Sequence, residues 1–408
     1  MVHRIYFSPG MFGFGRLASY DYFAHLEQAL SERLRAAGDQ VETYVVHVSP
    51  AASIRRRAVK LTEFVASTCG AANPGDGPIH LVGHSTGGLD ARLVASPSAS
   101  IGADPAALAW RGRLASVTAI NTPHFGTPLA SFFTTVSGQR ALRALSALTV
   151  IALSVGSPPL SVVSAIVAAF GRADHALGLE LKILDRATEG LLRGLDEVRS
   201  REVRAYVDAM KDDDGAMVQL MPEAMDLFAA GIEDRPGVLY QSTASMAPSP
   251  SPRTILRAIA RPQSALSEAT FAILYGITSR CDPRYPCAAF VADGDIEAAL
   301  VRTFGRALSS RANDGVVPIR SQIWGKLVWA GYGDHLDVIG HFRDARPATP
   351  TQTDQAARPH IDWLHSGSDF DSARFASLVS AIADGLASSA KSLASHGPGA
   401  GRQGEPSR

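Results

Sequence analysis

The sequence predicts an α/β fold in which a mostly parallel sheet is covered by helices on both faces. Three observations predict it. Short apolar runs alternate with amphipathic segments through the first 125 residues. The stretch PIHLVGHSTGGLDARLV (78–94) joins a buried-strand pattern to a helical one across glycines. A late apolar run, KLVWAG (326–331), is followed by a closing helical segment. Strands alternating with helices form parallel neighbours, because each crossover helix returns the chain to the same edge of the sheet.

Taken in order, HRIYF (3–7) reads as the first strand. DYFAHLEQALSERLRAAG (21–38) reads as a helix, with Leu26, Leu30 and Leu34 on one face and Gly38 as its stop. VETYVVHV (41–48) is the second strand, and SIRRRAVKLTEFVASTCG is a helix ended by Gly70, with Arg55 to Arg57 as its solvated start. PIHLVG then reads as a short buried strand, GGLDARLVA as a helix and LASVTAIN as another strand. The middle of the chain is different. Ala144 to Gly171 are 28 residues without a charge, which by length alone match a membrane span. The GSPP at their centre argues instead for two short apolar helices, either buried in an inserted cap or forming a lipid-facing lid. A charged helical stretch follows at about 179–210, then PEAMDLFAAG, the strand-like GVLYQST (237–243) and an excursion rich in Pro and Ser. After KLVWAG the helix SARFASLVSAIADGLASSA (372–390) closes the fold, and HGPGAGRQGEPSR has the composition of a disordered tail. The expected organisation is one domain, residues 1–395, with a helical insertion at about 127–235 and a tail at 396–408.

Composition removes several classes of function. The 408 residues, 46% of them hydrophobic, can bury a large core. With 39 basic and 39 acidic side chains there is no net field to draw a polyanion, so nucleic acid is not an expected partner. Three cysteines are too few for a disulfide framework: Cys281 and Cys287 can pair in an oxidising compartment, and Cys69 reads as a free buried thiol. The opening MVHRIYFSPG shows a strand pattern and no secretory leader, which leaves the compartment open.

The chemistry is concentrated around Ser85. Gly83-His84-Ser85-Thr86-Gly87 matches G-x-S-x-G between a strand and a helix, the setting of a nucleophile elbow. Glycines at 83 and 87 relieve crowding in so tight a turn and expose the serine. The helix that begins near Thr86 points its N-terminal N–H groups at a developing oxyanion. A serine hydroxyl needs a base to take its proton, and in this setting acid and histidine follow in that order. Of twelve histidines, His335 lies in a short loop directly after the last strand, in KLVWAGYGDHLD. His124 in NTPHFGTP reads as a side chain shaping the floor of the site. Asp314 in RANDGVVP, 21 residues before His335, is the expected acid, with Asp293 and Asp295 as alternatives. FSPGMFGFG (7–15) follows the first strand, so the N–H of Met11 is the natural second oxyanion donor beside that of Thr86. Phe12, Phe14 and His84 are expected on the substrate side.

PGMFGFGRLASYDYF, HLVGHSTGG, TPHFGTPLA, MPEAMDLFAAG with GVLYQSTAS, NDGVVP and DHLD together resemble the bacterial true lipases of family I, and nearly the whole chain follows in consistent order. The resemblance implies an α/β-hydrolase fold with a helical lid and hydrolysis of triacylglycerol esters. It also implies Ser85 as nucleophile, Asp314 as acid, His335 as base, and Met11 and Thr86 as oxyanion donors. Two departures stand out. Pro9-Gly10 occupies the place of the family's His-Gly, removing the bonds by which that histidine holds the loop. Cys281 and Cys287 do not occupy the positions of the family's disulfide.

The expected reaction is carboxylic ester hydrolysis through an acyl-enzyme, with no catalytic cofactor, acting on lipid esters at a lipid–water interface. A phospholipase, an acyltransferase or a short-chain esterase on the same triad is the alternative, and a non-catalytic binding protein of this fold is a third reading. The resemblance also raises a lipase-specific foldase as a partner and one structural calcium ion near the histidine loop. Asp337, two residues after His335, is close enough to be a ligand, and the family pattern supplies Asp282 of the Asp282-Pro283 pair as the other. Asp293 or Asp295 can stand in for Asp282.

Overall fold

In strand β1 (Val2–Ser8), Ile5 and Phe7 face one hydrophobic cluster while Tyr6, between them, faces another. This period of two is what a strand buried on both faces requires. The computed structural model describes residues 1–11, 16–17, 20–49, 51–69, 77–135, 215–250, 262–287, 294–342 and 364–395, together with the single positions Gly138 and Glu197. The uncharged stretch 144–171, the charged stretch at about 179–210 and the tail 396–408 lie outside the described residues.

Six strands form one sheet: β1, β2 (Gln40–Val45), β3 (Ile79–His84), β4 (Leu114–Ile120), β5 (Leu239–Met246) and β6 (Lys326–Tyr332). Their spatial order is β2-β1-β3-β4-β5-β6, and every pairing is parallel. The order reverses direction between β1 and β3, so the loops leaving those two strands meet at the carboxyl edge of the sheet, where open α/β sheets bind ligands. The register Ser8↔Gly83 puts the end of β1 beside the approach to Ser85.

Helices cover both faces, as the sequence predicts. Helix α1 (Ala24–Ala36) and the C-terminal helix Ser372–Ser395 bury Leu26, Leu30, Leu34, Leu378, Ile382 and Leu386 against Ile5, Phe7, Val82 and Ile120. Helix α2 (Ile54–Thr68) and helix α3 (Thr86–Ala95) cover the other face, where Leu61, Val65, Ala91 and Val94 meet Tyr6, Leu81 and Val117. Ser53 caps α2 by accepting from the Arg56 N–H, and Gly38, at φ +90°, takes the chain out of α1 through the left-handed region that glycine enters without strain.

Several elements differ from expectation. Among the described residues the excursion after β5 holds the helices Pro262–Thr278 and Gly294–Phe304, and a 3₁₀ segment at Pro105–Arg113 precedes β4. The Arg55–Arg57 stretch is not uniformly solvated: Arg57 is buried, for reasons given below. Between β4 and β5 the short helices Pro128–Phe133, Gly215–Gln219 and Pro222–Gly231 are described. No helix among the described residues is long and apolar enough to cross a membrane.

Three fully buried histidines, His80, His84 and His124, make the fold acid-sensitive. Burial is the main cause that holds each well below the usual value of 6.5, reinforced by His3, His335 and Arg92 respectively. The unfolded chain therefore binds protons that the folded one refuses. Stability from these groups is fully present above about pH 6.5 and falls as pH drops below it, by up to about 1.4 kcal/mol per pH unit per group. Melting temperature measured from about pH 8 to 5 is expected to be level and then to fall; a level profile down to pH 5 would contradict buried neutral imidazoles.

Candidate active site

Strand β3 ends at His84 and helix α3 begins at Thr86, leaving Ser85 alone in the turn at φ 54°, ψ −129°. A side-chain-bearing residue is strained there and persists only when its surroundings over-determine it. The Ser85 N–H donates to the Ile120 carbonyl at 2.9 Å, and the Ser85 carbonyl accepts from Gly88 at 3.1 Å. The glycines are a steric necessity. A Cβ on Gly83 would lie 2.2 Å from the Gly87 carbonyl carbon, and one on Gly87 would lie 2.0 Å from the Ser8 carbonyl oxygen. At Gly10 a Cβ would come within 2.7 Å of the Ser85 Cβ, so the loop after β1 crosses the serine as bare backbone.

His335 follows β6 and is tied to Asp314 twice. Its backbone N–H donates to the Asp314 carbonyl at 3.0 Å, and its Nδ1 lies 2.7 Å from Asp314 Oδ2. A carboxylate accepts, so Nδ1 carries the proton and Nε2 keeps the lone pair that a general base needs. Asp314 is fully buried and takes four donors: Oδ1 accepts from the Val316 and Val317 N–H groups at 2.9 and 2.7 Å, and Oδ2 from Asn121 Nδ2 at 2.9 Å as well as from His335. Asp295, an alternative acid in the sequence, sits exposed at the start of the Gly294–Phe304 helix; Asp293 lies outside the described residues.

Sequence reasoning missed the groups that hold this arrangement. Asn121, at φ 46° just past β4, donates to both Asp314 and Ser245 Oγ. His84 was expected to face substrate, but it is fully buried with both ring nitrogens engaged. Its Nε2 must donate to the His335 carbonyl, 2.8 Å away, which leaves Nδ1 to accept from the Tyr22 hydroxyl at 2.5 Å. The Gly10 N–H in turn donates to that hydroxyl, and burial raises the Tyr22 phenol above its ordinary range. The His84 and His335 rings lie 4.6 Å apart. One chain of hydrogen bonds thus links the loop over Ser85 to the histidine loop.

The loop after β1 has a second tether. Arg57 and Asp90, both with side chains wholly out of solvent, pair at 2.7 Å. Arg57 Nη2 also donates to the Pro9 carbonyl, and the Ser8 hydroxyl donates to Asp90 Oδ2 at 2.8 Å. Burial raises the Asp90 carboxyl, and Arg57 and Ser8 oppose that rise. The loop is thus held from α2 and α3. The signal in the sequence was an arginine and an aspartate 33 residues apart on two separate helices, which no local pattern joins.

Ser85, Thr86 and Met11 line one slot with Leu129, Phe133 and Leu220, an apolar wall fit for hydrocarbon. Phe12 and Phe14 lie outside the described residues. His124 is buried beside the site, with Arg92 Nη1 3.1 Å from its Nδ1 and the Arg92 guanidinium stacked 3.5 Å over Trp324. Cys69 is a buried thiol, and the Cys281 and Cys287 sulfurs lie 2.6 Å apart.

The two expected calcium ligands are otherwise engaged. Asp282 is gripped by the Arg284 guanidinium, whose hydrogen bonds hold its carboxyl at about 2. Asp337 Oδ2 accepts from the Asp334 N–H at 2.8 Å and the Ser368 hydroxyl at 2.7 Å. Among the described residues no group of three or more His, Cys, Asp or Glu is arranged to hold a metal ion. No chemical step is assigned to a calcium ion.

The order of the parallel sheet, the strained serine between β3 and α3, and acid and histidine loops at the same edge in that chain order meet the description of one fold. The fold is that of an α/β-hydrolase. No protein-family model matches the chain. A triacylglycerol lipase of Vibrio cholerae is 35% identical over 121 residues, 30% of this chain and 32% of that protein. The match therefore spans about a third of the relative, which is a bacterial lipase, as the sequence motifs lead one to expect. Among solved structures, a lipase of Staphylococcus hyicus aligns with a TM-score of 0.49 and 16% identity, covering 96% of each chain. EstA of Clostridium botulinum aligns with a TM-score of 0.44 and 19% identity, over 93% of this chain and 88% of that one.

Proposed function

We propose that the protein is a serine carboxylic ester hydrolase of the lipase type. The observation that carries this reading is the strained Ser85 at the turn after β3, with, on the loop after β6 at the same edge of the sheet, a histidine whose Nδ1 is committed to a fully bonded Asp314. In this reading Ser85 Oγ attacks the ester carbonyl while His335 Nε2 takes its proton. The N–H groups of Met11 and Thr86 receive the oxyanion, and Asp314 steadies the imidazolium. His335 then protonates the departing alcohol, and water, activated by the same imidazole, releases the acid. The apolar slot beside Ser85 supports an acyl chain as the group held there.

A panel of p-nitrophenyl esters from C2 to C16, with emulsified triglyceride beside it, tests the reading. Turnover is expected to extend to long acyl chains and to the emulsion. Activity confined to C2–C4 would make the protein a short-chain esterase, and no turnover of any ester would overturn the proposal.

A further inference from the structure

Tyr22, just ahead of helix α1, is buried where the loop after β1, the end of β3 and the histidine loop meet. Its hydroxyl takes the Gly10 N–H from the loop over Ser85 and gives its own proton to His84 Nδ1 at 2.5 Å. His84, the residue before Ser85, carries the connection on, its Nε2 donating to the His335 carbonyl at 2.8 Å. A further bond ties Tyr22 to the segment just past that loop: His341 Nε2 donates to the Tyr22 carbonyl at 3.0 Å. The neighbour of Met11, the neighbour of Ser85 and His335 itself are thus joined through one phenol.

Chemistry fixes the direction of these bonds. A carbonyl only accepts, so His84 Nε2 carries the proton, and Nδ1 of the neutral ring can only accept. The hydroxyl therefore donates to Nδ1, and its lone pairs are left for the Gly10 N–H. That order holds only while His84 is uncharged. Burial, then the facing charge of His335, keeps the ring well below its usual range, against the opposing pull of the bond to the His335 carbonyl. Neutrality has a use here. The His84 and His335 rings lie 4.6 Å apart, and ester hydrolysis as read above turns His335 into an imidazolium. A second cation at that distance, away from water, would oppose the charge that forms.

We propose that Tyr22 and His84 are positioning residues for that reaction: together they hold the loop over Ser85 and the backbone of the general base in one register, and they set an uncharged ring beside His335. The inference rests on the hydrolase reading. Neither side chain is assigned contact with the ester, and each acts through another group.

Turnover of p-nitrophenyl butyrate by the full chain tests it. Tyr22→Phe, which removes only the hydroxyl, and His84→Leu are each expected to lower kcat about tenfold or more with KM close to wild type, the split that follows when support is lost in the transition state alone. Because both belong to one chain of bonds, the double variant should cost little more than the worse single one. His84→Gln, whose amide nitrogen can still donate to the His335 carbonyl, should keep more kcat than His84→Leu. Melting of each variant establishes that it is folded. The downfield proton resonance of the His335–Asp314 hydrogen bond, assigned by its loss in His335→Ala, reads the base without turnover and should move in both single variants. A wild type that turns over no ester would remove the hydrolase reading, and this resonance would still decide whether Tyr22 and His84 position His335. A kcat within about twofold of wild type in folded Tyr22→Phe, independent losses that multiply in the double variant, or a resonance unmoved in both single variants would overturn the proposal.

Discussion

Ser85→Ala is expected to lower kcat for ester hydrolysis by roughly 10⁴ to 10⁶ while leaving the melting temperature close to that of the parent, because it removes the nucleophile of a unit that acts together. The substitution leaves the turn its small side chain, and the structure draws the rigidity of that turn from backbone bonds to Ile120 and Gly88, which alanine retains. His335→Ala should cost about as much activity. Asp314→Ala is expected to differ in kind. It orphans the N–H groups of Val316 and Val317 and His335 Nδ1 in a site without solvent, and leaves Asn121 Nδ2 only its bond to Ser245 Oγ, so stability falls along with turnover. Paired measurement of kcat and melting temperature separates the two. A Ser85→Ala protein keeping more than a tenth of the activity would remove Ser85 from the mechanism.

Arg57→Met is expected to cost about 3–5 kcal/mol of stability, since it strands the Asp90 carboxylate with no solvent and no cation. Turnover should drop too, because the Pro9 carbonyl loses its donor and the loop over Ser85 loses one of its two tethers. The double variant Arg57→Met/Asp90→Leu separates these effects. Replacing both members of a buried pair by apolar groups of similar volume is often neutral or stabilising, so melting should recover much of what the single change removes. The grip on Pro9 does not return, and kcat should stay low. If kcat recovers in step with melting temperature, the ion pair is packing for the helices rather than support for the oxyanion loop.

Much of this protein was legible in the chain because the relevant physics is local. Strand alternation around Tyr6, the leucine face of α1 and the glycine stop at Gly38 each follow from neighbours within a few residues. So does the elbow: the crowding that demands Gly83 and Gly87 arises where a strand turns into a helix. The order serine, acid, histidine is equally a property of the chain. By contrast, the Pro262–Thr278 helix lay within a stretch that its Pro and Ser content marked as irregular, and packing decided otherwise.

What the sequence determined alone is therefore the rhythm of strands and helices and the position of Ser85 in the turn between a strand and a helix. Only the tertiary structure decided which polar side chains lose their water and what replaces it. Arg57 reads as a solvated helix start until α2 and α3 close over it, and His84 reads as a substrate contact until Tyr22 and the His335 carbonyl take both its nitrogens. Asn121 becomes a donor to Asp314, 193 residues away, only once β4 and the acid loop reach the same edge of the sheet. Desolvation depends on every element packed around a group, and sheet register, which places Ser8 beside Gly83, chooses those neighbours across distances in the chain that no short pattern spans.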